Sequence, residues 1–359
     1  MWAAAGRGQV LVENATIRFT VRIAASGDSL RLRLSNEFGL PLKIGAASVR
    51  IADGPSVPVT FNGAPTSVLP LEGGGVSDAV PLAVRAFDLV EVSLFLPERT
   101  ALNTVHGAGG AKTAISAPGD FTATPFEPVA RSDNRPLLAS VEVAGPARPV
   151  VVAYGNSITD NTGCANDATP ICRWGDLLGR RLAAAGKPHV VVTQAISGNR
   201  LLAGGSGPTA IDRFTRDVLS QTGVSHVIVL EGINDIGQSG RVRPDGSKGP
   251  VTTAEQLISG YEQLIARAHE RGVKVMALTI LPFEGANYYT AAGEALRMQV
   301  NDWIRTSGSF DGVFDMEKVM ADPTNPKRLN PALQRGDNLH PDGVGEAVMG
   351  EAIPLDWFN

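Results

Sequence analysis

Two periods of hydrophobicity divide the chain. From the amino terminus to about residue 146, short segments alternate apolar and polar positions, as in Val10-Leu11-Val12, Thr16 to Ile23, Ser29 to Leu34 and Val90 to Leu96. Each predicts a strand with one buried and one wet face. Gly-, Pro-, Asn- and Asp-rich punctuators separate them, at Ser35 to Gly39, Asp53-Gly54-Pro55 and Asn62-Gly63-Ala64-Pro65. Many short strands, regular turns and no long helical pattern predict an antiparallel β-sandwich-like accessory domain over 1–146. The Gly-, Ala- and Thr-rich stretch Asn103 to Thr124 reads as a long connection, and Gly145 to Pro149 as a junction.

From Pro149 the pattern becomes continuous apolar runs alternating with helical periodicity. Strands are predicted at 149–154, Val190 to Gln194, Ser225 to Glu231, Val273 to Leu281 and Val313 to Asp315. Helices are predicted between and after them, at Arg173 to Gly186, Thr209 to Thr222, Thr253 to Gly272, Ala291 to Ser307 and Pro341 to about Ala352. Alternating strand and helix implies right-handed crossovers and a mostly parallel α/β sheet over 147–359.

Length and composition fit two folded domains. The chain has 359 residues, 43% hydrophobic and 19% charged, which is enough apolar material for sizeable cores. A net charge of −4 provides no broad basic field, so nucleic acid and anionic membrane surfaces are not expected partners. No apolar run approaches the ~20 residues of a membrane span. The start Met1 to Gly6 lacks the charged and apolar regions of a signal peptide. The two cysteines, Cys164 and Cys172, share one irregular loop. A disulfide between them would suit a secreted or periplasmic protein, and that is the expectation; two reduced thiols would suit the cytosol. Their spacing with Asp160 and Asp167 is not a usual zinc pattern, and neither metal nor cofactor is expected.

The first parallel strand carries the candidate chemistry. Val150 to Tyr154 is an apolar run that stops at Gly155 and delivers Asn156-Ser157 to the start of a helical turn. The carboxyl ends of such strands open onto ligand crevices. A serine there needs a base, an acid to orient that base and donors for an oxyanion. Asp337-Asn338-Leu339-His340 offers acid and base; Ser197-Gly198-Asn199 and Gly232-Ile233-Asn234-Asp235 offer a glycine and an asparagine amide. Singly, Ser157 reads as a helix cap, Gly198 as a turn glycine, Asn234 as a loop residue and His340 as an ordinary histidine. Their co-occurrence, each following an apolar run or opening a helix, favours chemistry. His269 in a charged helical stretch, His189 and His226 before strands, and His106 in the front region compete poorly as bases.

These four blocks resemble the SGNH/GDSL hydrolases, over roughly residues 148 to 359. The resemblance implies a flavodoxin-like three-layer domain and a serine esterase with Ser157 as nucleophile, His340 as base and Asp337 as its orienting acid. It further implies an oxyanion hole of the Ser157 and Gly198 amides and the Asn234 side chain. The front region, through Leu32 to Gly39 and Val76-Ser77-Asp78, is similar to a domain preceding the catalytic domain in a subgroup with acetylxylan esterases and arylesterases. Where the family usually has Gly-Asp-Ser, this chain has Gly155-Asn156-Ser157. One negative charge near the nucleophile is therefore expected to be lost, and the substitution Asn156→Asp is expected to raise the pKa of the base. The implied substrate is a short acyl, such as acetyl, ester of a carbohydrate or other small alcohol. Lysophospholipase, arylesterase or thioesterase activity, or a catalytically silent carbohydrate-binding protein, are the alternatives. The sequence does not fix an oligomeric state.

Overall fold

The computed structural model describes residues 10–107, 112–161, 173–242 and 246–359. Cys164 and Cys172, and with them the disulfide expectation, lie outside these residues. The described residues form two compact units that divide between Ala147 and Arg148.

In the second unit, β1 (Val150–Gly155), β2 (Val190–Ala195), β3 (Val224–Leu230), β4 (Lys274–Leu278) and β5 (Gly312–Phe314) form one sheet in the order β2-β1-β3-β4-β5. Every pairing is parallel. Its helices are α1 (Ser157–Asp160), α2 (Trp174–Ala184), α3 (Ala210–Phe214), α4 (Ile233–Gln238), α5 (Ala254–His269), α6 (Ala291–Thr306), α7 (Met316–Met320) and α8 (Gly343–Ala352). The continuous apolar strands reflect burial on both faces: Val151, Val152, Ala153 and Tyr154 of β1 are all 0% exposed. The strand order changes direction at β1, which places a crevice beyond its carboxyl end, where Ser157 stands.

Several predicted boundaries shift. The single helix expected over 209–222 is α3 followed by a π-helical turn, Thr215–Leu219. Two short elements, α4 and α7, and the antiparallel pair Ala321–Asp322 with Asn325–Leu329 have no clear periodic signature in the sequence.

The first unit is antiparallel throughout. Ala15–Arg22, Ala46–Ile51 and Leu89–Leu96 are central to a six-stranded sheet, while Ser29–Asn36 is flanked by Leu138–Ala144 and Gly73–Val76 in a three-stranded one. Inward residues of both, including Ile17, Phe19, Val92, Leu94, Leu30, Leu32 and Leu34, share one core. Between the inward leucines, Arg31 and Arg33 face out and donate to Glu142 on the neighbouring strand. The expected long connection after Asn103 is corrected: Thr113–Pro118 is a strand pairing with Ala15–Arg22. Its buried positions are Thr113, Ile115 and Ser116, so two of the three inward groups are hydroxyls and the hydrophobic signal is weak.

Candidate active site

The turn after β1 is shaped by a close approach. A Cβ on Gly155 would stand 2.3 Å from the Thr159 hydroxyl and 2.7 Å from the Leu230 carbonyl, so only glycine lets β1 run straight into α1. Asn156 caps that helix, its Oδ1 accepting from the Ile158 amide at 3.1 Å. Ser157 follows at the first helical position, 7% exposed.

A continuous polar chain reaches Ser157 from the loop before α8. His340 Nε2 lies 2.8 Å from Ser157 Oγ, and His340 Nδ1 lies 2.7 Å from Asp337 Oδ2. Asp337 Oδ1 accepts from the Leu339 and His340 amides at 3.0 and 2.8 Å, which folds Asp337 and His340 together in a tight turn. Asn338 supports that turn at φ 56°, a left-handed conformation that asparagine tolerates. Arg335 also donates to Asp337, at 3.1 Å. Burial alone would raise Asp337, but the His340 amide and ring and the Arg335 hydrogen bond outweigh it and hold the carboxyl far below its ordinary range. Burial lowers the His340 pKa, against the upward pull of Asp337 and with a further lowering from Arg335.

The glycine and asparagine blocks close on the same turn. The Ile196 amide donates to the Gly155 carbonyl at 3.1 Å, and Ser197 Oγ to Asp160 at 3.1 Å, pinning the Gly198 loop beside α1. Gly198 itself has φ 77°. Asn234 Nδ2 donates one hydrogen to the Asn199 carbonyl at 2.9 Å, leaving its second N–H available. The Tyr288 hydroxyl donates to Asn234 Oδ1 at 3.4 Å, so both ends of that amide are engaged. The Tyr288 ring occupies the space a Cβ of Gly237 would take, 2.3 Å from that position. Burial raises the Tyr288 hydroxyl well above its ordinary pKa, with Asp337 adding to the rise, so it remains a donor.

Beneath this layer lies a buried polar cluster that motif reasoning passed over. Arg213, 0% exposed at its side chain, donates to the Gly155 carbonyl, Asn199 Oδ1, the Gln194 carbonyl, Asp217 and Glu231, at 2.8 to 3.3 Å. One guanidinium thereby touches the Gly155 and Asn199 blocks and the residue just before the Gly232 block. Asp235 accepts from the Leu201 and Leu202 amides at 2.7 and 3.0 Å and holds the remainder of the Gly198 loop. Asn156 Nδ2 donates to Glu231 Oε2 at 3.0 Å. The side chain at position 156, where the resemblance leads one to expect an acid, is therefore an amide bonded to a buried carboxyl at 231. Burial pushes Glu231 up to about 8, against the pull of Arg213 and the Asn156 amide. A signal for Arg213 existed: Ala210, Arg213, Phe214, Asp217 and Val218 share one helical face, and all are buried.

The other histidines stand elsewhere. His189 and His226 pack 5.4 Å from each other and 5.4 and 5.3 Å from Phe358, and His226 lies in β3 beside Val151 at the opposite end of the sheet from Ser157. Burial, then His189 and Lys274, lower His226 to about 4. His269 pairs with Asp311 at the protein surface, and His106 is buried beside Arg135 in the first unit. Among the described residues no three His, Cys, Asp or Glu side chains converge as a metal site, and no helix is long and apolar enough to cross a membrane.

Residues 153–348 match the model of the GDSL-like Lipase/Acylhydrolase family. No curated protein matches the chain. Similar solved structures include a GDSL-like lipase from Bacteroides thetaiotaomicron, 17% identical, covering 56% of this chain and 84% of its own, with a TM-score of 0.41. An acetyl xylan esterase, AlAXEase, is 19% identical over 56% of this chain and 96% of its own, with a TM-score of 0.42. The psychrotrophic esterase EstA from Pseudoalteromonas sp. is 15% identical over 56% and 93%, with a TM-score of 0.40.

Proposed function

This chain belongs to the GDSL-like lipase/acylhydrolase family, and from that premise we propose that it is a serine carboxylester hydrolase working through an acyl-enzyme on Ser157. The observation that carries the reading is the hydrogen-bonded chain Ser157 Oγ, His340, Asp337, with contacts of 2.8 and 2.7 Å, at the carboxyl end of β1.

The chemistry follows from that geometry. Neutral His340 takes the Ser157 proton through Nε2 as the oxygen attacks the ester carbonyl. Asp337 holds Nδ1–H, which fixes the tautomer and stabilises the imidazolium formed in the transition state. The carbonyl oxygen becomes an oxyanion, received by the Ser157 and Gly198 amides and the free N–H of Asn234. These donors sit on turns already fixed by Asn199, Asp235 and Arg213, so little reorganisation accompanies the reaction. His340 returns its proton to the departing alcohol, and water repeats the sequence on the acyl-enzyme.

The substrate reading is a short acyl group, acetyl foremost, on a carbohydrate or other small alcohol. It is supported by the resemblance of Leu32 to Gly39 and Val76-Ser77-Asp78 to a domain that precedes the catalytic domain in a subgroup with acetylxylan esterases and arylesterases. Acetate release from acetylated xylan, set against hydrolysis of p-nitrophenyl esters of increasing chain length, tests it. Acetate release with a steep decline beyond acetyl and propionyl esters is the expected result. Faster turnover of long-chain esters or of lysophospholipid would replace the substrate assignment, and no hydrolysis of any ester would leave a binding protein.

A further inference from the structure

Asn156 and Glu231 form a buried amide–carboxylate pair directly beneath the nucleophile turn. Asn156 uses both ends of its side chain: Oδ1 accepts from the Ile158 amide at 3.1 Å and Nδ2 donates to Glu231 at 3.0 Å. Glu231 is likewise shared, its other oxygen facing Arg213 at 3.3 Å. Arg213 also donates to the Gly155 carbonyl at 2.9 Å, so a closed ring of bonds joins residues 155, 156, 231 and 213. The ring touches no group that reacts, yet it fixes the backbone on either side of position 156.

The surrounding charges decide what this ring tolerates. From the helical segment after residue 209 come Arg213, Asp217 and Arg216, the last bonded to Asp217 at 2.6 Å. From α4 comes Asp235, whose oxygens are taken by the Leu201 and Leu202 amides and whose charge lies near Arg200. Tyr261 of α5 presents a neutral hydroxyl to the Glu231 carbonyl oxygen at 2.8 Å, and neutral Tyr154 lies under the Arg213 guanidinium at 4.0 Å. Arg213 and Arg216 therefore pair with Asp217, Glu231 accepts from Arg213 and the Asn156 amide, and the neutral side chain at 156 adds no further acid to the site.

We propose that Glu231 is a positioning residue for Ser157, anchoring the Asn156 side chain and the Arg213 guanidinium beneath the nucleophile turn, with Asn156 as its obligatory donor. The inference rests on the proposed role of Ser157. Satisfiability makes it specific. In Glu231→Gln the new amide has one oxygen for two donors, Asn156 Nδ2 and Arg213, and its own NH2 has to face one of them. In Asn156→Asp a second carboxyl enters a dry site with no added cation; it can donate to Glu231 while protonated and repels it once ionised. In the double variant Asn156→Asp/Glu231→Gln the bonds of the ring return, and only the long Asn156 donation to the Leu230 carbonyl at 3.4 Å is lost. The new carboxylate at position 156 accepts from Ile158 and from the new amide at position 231, whose oxygen accepts from Arg213.

The test is the pH dependence of kcat and KM for both single variants and the double one, using the best ester substrate. Glu231→Gln should lose kcat by roughly 10- to 100-fold with KM little changed, as a displaced nucleophile would. Asn156→Asp should lose activity chiefly on the alkaline side, at a pH where the wild type is still active. The double variant should recover to within about threefold of the wild type, with the early alkaline loss removed, as expected when the two positions are strongly coupled. If Glu231→Gln does not fold, a folded and active double variant gives the same support. Losses that add in the double variant, a double variant that does not fold, or an Asn156→Asp profile superimposable on the wild type would each overturn the proposal. Ser157→Ala separates this failure from that of the functional reading: activity surviving that substitution removes the nucleophile itself, whereas its loss alongside additive ring variants removes only the positioning role.

Discussion

His340 governs how activity should depend on pH. The ring must be neutral to accept the Ser157 proton, and its pKa is lowered by burial despite the pull of Asp337. The acid limb of kcat/KM is therefore expected below the ordinary imidazole value of about 6.5, with activity rising as pH rises through it. A limb clearly above that value would mean that Asp337 outweighs burial. Asn234→Ala should lower kcat by roughly 10²–10³ with a smaller effect on KM, because the lost N–H acts where charge develops. Tyr288→Phe removes only the hydroxyl that orients that amide, and a decrease in kcat of about 2- to 10-fold is expected. Loss expressed in KM alone would make either residue a substrate contact. The motif residues were legible because chemistry-bearing types stood at the ends of apolar runs. Glu231, Asn199 and Tyr288 were not, since their roles depend on which loops the fold brings into contact. The Asn156 side chain shows the difference: its identity was evident in sequence, but the carboxylate it serves lies 75 positions away.

The parallel strands were legible because burial on both faces leaves uninterrupted apolar runs, and β1 through β3 fall within a residue or two of expectation. Thr113–Pro118 was hidden because hydroxyls fill two of its inward positions, and α4 because a six-residue helix completes too few turns to show a period. The break between α3 and the π-helical turn has a structural correlate in the Arg213–Asp217 pair, which places both charges on the buried face. Among these elements Arg213 is the tie between the loops, with donors to β1, β2, the Asn199 loop and Glu231. Arg213→Met should cost on the order of 3–5 kcal/mol in chemical denaturation, since it strands buried carboxylates and carbonyls. A cost under about 1 kcal/mol would show that the cluster relaxes around the loss.

Each of the two units has a core of its own, so damage to one should be separable from the chemistry of the other. Leu32→Ala removes a side chain with 0% exposure from the first unit's core, and a loss of about 2–5 kcal/mol in that unit's unfolding is expected, with kcat unchanged where the protein remains folded. A matching fall in kcat would tie the first unit to catalysis directly. Everything proposed for the second unit turns on Ser157 being a nucleophile activated by His340. Covalent labelling of the intact protein with a fluorophosphonate, followed by peptide mass mapping, interrogates that step without reference to any substrate. One adduct per chain is expected, on Ser157, formed at a rate that follows the acid limb of kcat/KM and strongly slowed in His340→Ala. An unlabelled Ser157 in protein that hydrolyses esters, or an adduct on another residue, would refute the assignment.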